Sequence, residues 1–199
     1  MSENWEFDKR ELLKPENMLL LYARGAFPMA DENGNVDWYM PQIRTIIPLD
    51  DFNLPRSLRK YLEKSKFKIL FDNDPITIIK NCADRDKTWI SDGLIDAYSG
   101  LIKMGHVHSV EVIENNKIIG GLYGVTYRGA FFGESMFSKK SQASKAALTK
   151  LLEHLNKKKF SLLDVQFLTE HLGMFGAKEI SFEEYKKLMR KAYSKDVYF

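Results

Sequence analysis

Residues 107–137, VHSVEVIENNKIIGGLYGVTYRGAFFGESMF, decide the fold. Three runs rich in β-branched and aromatic residues are divided by Asn115-Asn116 and by Tyr127-Arg128-Gly129, separators of the kind that reverse a strand. The stretch therefore predicts an antiparallel three-stranded meander. Its last run carries Glu134 among aromatic and sulfur side chains, where an unpaired charge is costly to hold. Regular alternation sends Phe132, Glu134 and Met136 to one face and Phe131, Gly133 and Ser135 to the other. A Glu134 without a partner would protonate, because desolvation raises a carboxyl pKa; an ionised one must be met by something cationic.

Upstream of the meander, Pro15 opens a helix, PENMLLLYARG, that closes near Gly25. The following AFPMADENGNVDWYMPQ is rich in turn formers and predicts a small, loop-heavy N-terminal lobe over residues 1–41, leaving 42–199 as the larger domain. Within that domain IRTIIPL and FKILF read as strands, and LPRSLRKYLEKS, DPITIIKNCA and SDGLIDAYSGLIKMG as helices. Downstream come a helix, SQASKAALTKLLEHLNKKK, a strand, SLLDVQF, a short helix in TEHLGMFG, a strand in AKEI and a last helix, SFEEYKKLMRKAY. Ser181 and Glu184 have capping-box spacing. The class is α+β, a mixed sheet with helices on its faces.

In LLDVQF the period of two sends Asp164 and Gln166 to one side. Two readings stay open for these residues. In one, Glu134 pairs with a buried lysine or accepts backbone hydrogen bonds while Asp164 and Gln166 cap a loop; in the other, all three surround one cleft.

A chain of 199 residues, 44% hydrophobic, 13% aromatic and 29% charged, can bury one substantial core or one core plus a small satellite. No apolar run approaches the roughly 20 residues of a membrane span, and MSENWEFDKR lacks the regions of a secretory signal, so the cytoplasm is expected. The single cysteine, Cys82, excludes an internal disulfide and reads as core filler. His106 and His108 lie two apart with no third ligand in a zinc-like motif, and read as structural. GGLYG sits within a hairpin, where close backbone packing explains its glycines better than phosphate binding. The net charge of +3 is too small to announce nucleic acid. Placement says more: Arg56, Arg59, Lys60 and Lys64 crowd one predicted helix, while Lys157 to Lys159 mark a solvated helix end.

The motifs YARGAFPM, RSLRK, TWISDGLIDAY, GHVHSVEV, IIGGLYGV, FFGESMFS, ASKAAL, LLDVQ and HLGMFGAKEI, in this order, resemble the bacterial leucyl/phenylalanyl-tRNA–protein transferases over roughly residues 18–182. The resemblance implies two lobes, the larger similar to a GNAT-type acyltransferase fold, and transfer of leucine or phenylalanine from charged tRNA to proteins that begin with arginine or lysine, an N-end-rule tag for degradation. No cofactor or metal is implied; SKKSQASK lacks the glycine-rich pyrophosphate loop that the fold uses for coenzyme A. A monomer is expected.

Carried over by resemblance, the catalytic pair falls on Asp164 and Gln166 and the acidic active-site residue on Glu134. The aminoacyl pocket falls on Met29, Trp89, Leu122, Phe131, Met136, Leu148, Leu151 and Leu163, and the tRNA-gripping segment on Arg56, Arg59, Lys60 and Lys64. In the implied reaction the acceptor's α-amine attacks the aminoacyl ester. With an amine pKa of about 7.7–8.0, deprotonation at pH 7 costs only about 1–1.4 kcal/mol, so positioning dominates. Gln166 is expected to orient the amine through its amide oxygen, Asp164 to polarise and hold that amide, and water to hold Glu134 until substrate arrives. Met29 stands where the family usually has tryptophan, and WYMP replaces WWSP. These departures leave two rivals: altered donor or acceptor choice, and a tRNA-binding homologue without turnover.

Overall fold

The computed structural model describes residues 9–199; most of MSENWEFDKR, the stretch weighed for a secretory signal, lies outside the described residues. After a short 3-10 turn at Lys9–Leu13, the elements in chain order are α1 (Pro15–Ala23), β1 (Phe27–Ala30), β2 (Val36–Tyr39), β3 (Ile43–Ile46), α2 (Arg56–Lys64), β4 (Lys68–Phe71), α3 (Pro75–Ala83), α4 (Asp92–Lys103), β5 (Val107–Glu114), β6 (Lys117–Tyr127), β7 (Ala130–Ser138), α5 (Ala143–Lys157), β8 (Leu162–Gln166), α6 (Glu170–Gly173), β9 (Lys178–Ser181) and α7 (Phe182–Tyr193).

The meander forms as its turns dictate. Asn115 and Asn116 adopt φ of 50° and 60°, the left-handed pair a two-residue hairpin needs, and β5, β6 and β7 pair antiparallel. Helix α5 then crosses over and returns the chain as β8, parallel to β7. The full sheet runs β4-β5-β6-β7-β8-β3-β9, with β7–β8 the one parallel neighbour pair among the described residues. It is a mixed sheet with helices on its faces, the α+β class expected.

Two cores flank it. One gathers buried side chains of α1, α3, α4 and α7, among them Tyr22, Ile78, Tyr98 and Tyr185. The other lies under α5 and α2, with Leu58, Leu148, Leu151, Leu152 and Leu155. Each fully buried leucine of α5 contributes about 1.5–3 kcal/mol, so the crossover that sets β8 beside β7 is firmly held. Serine and glutamate close the capping box at the start of α7 as spaced: the Ser181 hydroxyl accepts from Glu184 N–H at 3.3 Å, and the Glu184 carboxylate accepts from Ser181 N–H at 3.0 Å. No described helix is long and apolar enough to cross a membrane.

The segment read as loop-heavy contains a hairpin, β1 paired with β2 in the register Phe27↔Tyr39 to Ala30↔Val36. Its turn formers are confined to the reversal, where the Asp31 carboxylate accepts N–H bonds from Asn33 (2.9 Å) and Asn35 (2.8 Å). The apolar Phe27, Val36 and Trp38 pack against the first core. Close packing governs the glycines of GGLYG: a Cβ on Gly121 would lie 2.8 Å from the Val110 carbonyl oxygen. Cys82 is fully buried, and burial pushes its thiol up to about 12. His108 is held by Asp72 (2.7 Å) and by the Thr126 hydroxyl (3.1 Å).

Candidate active site

Strands β7 and β8 pair only over Ala130↔Leu162, Phe131↔Leu163 and Phe132↔Asp164, after which they part. Each carries an irregularity at the parting. On β7, Gly133 faces Gly124 and Ser135 faces Tyr123, so Glu134 is an extra residue opposite nothing on β6. On β8, Asp164 faces Ile46 and Gln166 faces Thr45, which leaves Val165 as the extra residue. A bulge re-aims side chains and sharpens local twist; here two of them open a cleft between neighbouring strands. The β7 bulge depends on Gly124, where a Cβ would lie 2.2 Å from the Phe131 ring and 2.3 Å from the Phe132 carbonyl oxygen.

The bulge also overturns the simple alternation. Phe132 faces the first core, as does Phe137, whereas Phe131 and Met136 both face the second. Met136 is thus opposite to the side expected, because one extra residue inverts every side chain beyond it.

Glu134, 8% exposed, is bonded by protein groups rather than by a cation. The Tyr98 hydroxyl donates to one carboxylate oxygen at 2.9 Å and the Gln166 side-chain amide donates to the other at 3.2 Å. Tyr98 in turn shares a 3.0 Å hydrogen bond with the Tyr22 hydroxyl. Burial pushes the Glu134 carboxyl up to about 7, against the opposing pull of its tyrosine hydrogen bonds. Water was the expected partner of the free protein; Tyr98 and Gln166 take that place.

Asp164 is fully buried and engaged on both oxygens. One pairs with the Arg44 guanidinium and accepts from the Tyr185 hydroxyl at 2.6 Å. The other accepts the backbone N–H of Gln166 at 2.9 Å. Asp164 therefore grips the backbone of Gln166, not its amide as expected. That backbone turns sharply: Gln166 has φ of +62°, and Phe167 N–H donates to the Val165 carbonyl at 2.7 Å across it. A left-handed conformation in a residue other than glycine is strained and persists where surroundings impose it; the Asp164 hydrogen bond is one such constraint. Arg44 is fixed further by the Gly25 carbonyl (2.7 Å) and lies between the rings of Phe27 (4.8 Å) and Tyr185 (4.7 Å).

A cavity of about 310 Å³ opens beside this network. Its apolar wall is Leu122, Met136, Leu148, Leu151, Leu163 and Leu172; its polar side presents Glu134, Gln166, Ser135 and Arg85, with Trp89 and Phe167 also lining it. Six of the eight expected pocket residues are brought together there. Two are not: Met29 packs against the first core, and Phe131 is fully buried with its ring 5.6 Å from that of Phe199. Arg56, Arg59, Lys60 and Lys64 stand exposed along α2, whose Leu58 packs into the core that also backs the apolar wall.

Sequence reasoning missed Arg44, Tyr22, Tyr98, Tyr185 and Arg85. For Arg44 a signal existed, since a charge within IRTIIPL is as anomalous as Glu134 within FFGESMF. The tyrosines carried none, because a tyrosine on an apolar helix face reads as core.

Comparison with known proteins gives the family of the chain. Residues 46–190 match the family model described as leucyl/phenylalanyl-tRNA protein transferase, and residues 11–42 match that of its N-terminal domain. A leucyl/phenylalanyl-tRNA–protein transferase of Herpetosiphon aurantiacus is 47% identical over 181 residues, 90% of this chain and 94% of its own. Among solved structures, AAC(6')-Iy in complex with a bisubstrate analogue is 12% identical with a TM-score of 0.37, over 62% of this chain and 90% of its own. The L-PGS of Bacillus licheniformis is 14% identical with a TM-score of 0.45, over 92% of this chain and 63% of its own. With residues 11–42 and 46–190 matched and 47% of 181 aligned residues shared with a relative covered over 94% of its length, this chain belongs to the leucyl/phenylalanyl-tRNA–protein transferase family.

Proposed function

We propose that this protein transfers leucine or phenylalanine from charged tRNA to the amino terminus of proteins beginning with arginine or lysine, in the cytoplasm and as a monomer. The observation that carries the reading is the cleft between β7 and β8, where an apolar wall of leucines and Met136 faces Glu134 and Gln166 across one cavity. About 310 Å³ is at the small end of the roughly 300–1,000 Å³ of ligand sites. That suits an aliphatic or aromatic side chain, and the apolar wall disfavours polar ones by desolvation.

The reaction forms a C–N bond to the aminoacyl carbonyl carbon and breaks the C–O bond to the ribose. The attacking amine loses a proton and the ribose oxygen gains one. Glu134, poised at about 7, lies close to the ordinary α-amine range of about 7.7–8.0. Proton transfer from an α-ammonium to its carboxylate is therefore uphill by only about 1 kcal/mol. Glu134 receives the amine, as counter-charge and then as base. The Gln166 amide donates to Glu134, which turns its carbonyl oxygen outward as an acceptor for a second amine N–H. Asp164, with Arg44, acts through Gln166: it fixes the strained backbone that aims that side chain. The α2 cations hold the tRNA backbone without reading its sequence. Met29 lies off the cavity, so its departure from the family's tryptophan does not alter the apolar wall.

The test is a panel of charged tRNAs against peptides led by arginine, lysine or other residues, read as peptide mass gain. Gain of one leucine or phenylalanine on arginine- and lysine-led peptides supports the reading. A shifted pair indicates altered selectivity, and no gain with any pair indicates a binding protein.

A further inference from the structure

We propose that Arg85 is a phosphate-binding residue that seats the phosphodiester of the donor's terminal nucleotide at the rim of the cleft, a role that rests on the transferase reading above. Helix α3 ends at Ala83, and two residues later the Arg85 guanidinium is tied down along one edge. Its Nε donates to the Cys82 carbonyl at 2.8 Å and its Nη2 to the Ser135 hydroxyl at 2.7 Å. A guanidinium carries five N–H donors in a planar fork. These two bonds leave three, including the Nη1–Nη2 end, with no carboxylate against them among the described residues. That free end matches two oxygens of a phosphate.

Its position decides the ligand. Ser135 directly follows Glu134, and Arg85, Trp89, Glu134 and Ser135 line the same cavity. Glu134 is not the missing anion: Arg85 donates to Cys82 and Ser135 and forms no ion pair with Glu134, which accepts from Tyr98 and Gln166. Of the reacting groups, the ester is neutral and the acceptor's amine and side chain are cationic; the phosphodiester is the anion nearest the ester. A fixed cation there attracts the donor strand and repels an arginine- or lysine-led acceptor, so the two substrates reach the cleft from different sides. The exposed Lys139 follows the end of β7, four residues beyond Ser135, and the next loop meets α2 where the Tyr61 hydroxyl donates to the Ser141 carbonyl at 3.4 Å.

The experiment compares the wild type with Arg85→Gln and Arg85→Lys. Binding of adenosine and of adenosine 5′-monophosphate is measured by calorimetry, and transfer is measured from 3′-leucyl-adenosine with and without a 5′-phosphate. The wild type is expected to favour the phosphorylated member of each pair about tenfold, in Kd and in KM, Arg85→Gln to abolish the preference, and Arg85→Lys to keep part of it. No phosphate preference in the wild type, an equal preference in Arg85→Gln, or an equal loss on both members of a pair would overturn the proposal. Absence of transfer from every donor would fell the transferase reading instead, while the nucleotide binding pair still decides Arg85.

Discussion

Replacing Glu134 by glutamine changes how stability depends on pH, by an amount that follows from its burial. The Glu134 carboxyl is raised from its usual 4.5 to about 7, desolvation being the largest cause. Between those values the unfolded chain has lost the proton and the folded protein keeps it. The native state then binds more protons, so stability contributed by this group is full below about pH 4.5 and is lost as pH rises through about 7. At about 1.4 kcal/mol per pH unit the whole span is roughly 3 kcal/mol. Glutamine has no such titration, and the other groups titrate alike in both proteins. The difference in unfolding free energy, Glu134→Gln minus wild type, should therefore move by about 2–3 kcal/mol in favour of the variant between pH 5 and pH 8. Urea denaturation of both proteins at unit steps of pH measures it. Two curves parallel within about 0.5 kcal/mol would mean that Glu134 ionises as an ordinary carboxyl, and would remove it as a base matched to the amine.

Other outcomes test separate parts of the site. Arg44→Met strands the fully buried Asp164 and should cost about 3–5 kcal/mol by urea denaturation, whereas Arg44→Met with Asp164→Asn should cost less than the sum of the two single changes; additive losses would deny the coupling. Gly124→Ala forces a Cβ into the Phe131 ring and the Phe132 carbonyl, and should lose at least about 2 kcal/mol in the same assay; a neutral result would contradict the tight bulge. Gln166→Gly keeps the left-handed backbone and deletes the amide, so transfer should fall at least about tenfold with the Kd for tRNA unaltered, and a matching loss in tRNA affinity would assign Gln166 to donor binding. Changing Arg56, Arg59 and Lys60 together to glutamine should weaken tRNA binding and flatten its dependence on log salt by roughly one unit per lost contact; an unchanged slope takes α2 out of the interface.

The sequence made some of this legible and hid the rest for physical reasons. Strand and helix order followed from periodicity and from Asn115-Asn116, because local turn chemistry acts within a few residues. Glu134, Asp164 and Gln166 stood out as polar groups on apolar strands, and family resemblance drew them to one place. The bulges did not show. An extra residue is defined only against a paired strand, so alternation alone puts Met136 on the wrong face, and the pairs Gly133↔Gly124 and Ser135↔Tyr123 put it on the other. The support of the site was equally hidden, since Arg44 and Tyr185 reach Asp164 from 120 and 21 residues away in sequence. Phe131 reads as a pocket residue from its motif, yet the ring lies behind the wall against Phe199.

The central claim is that an aminoacyl ester lies in the cleft where β7 and β8 part. Its most direct test is a crystal structure with a non-hydrolysable 3′-leucyl-adenosine analogue. The leucyl side chain is expected among Leu122, Met136, Leu148 and Leu163, with its carbonyl carbon beside the Gln166 amide and the Glu134 carboxylate. A leucyl group seated on any other surface, with that cleft unfilled, would contradict it.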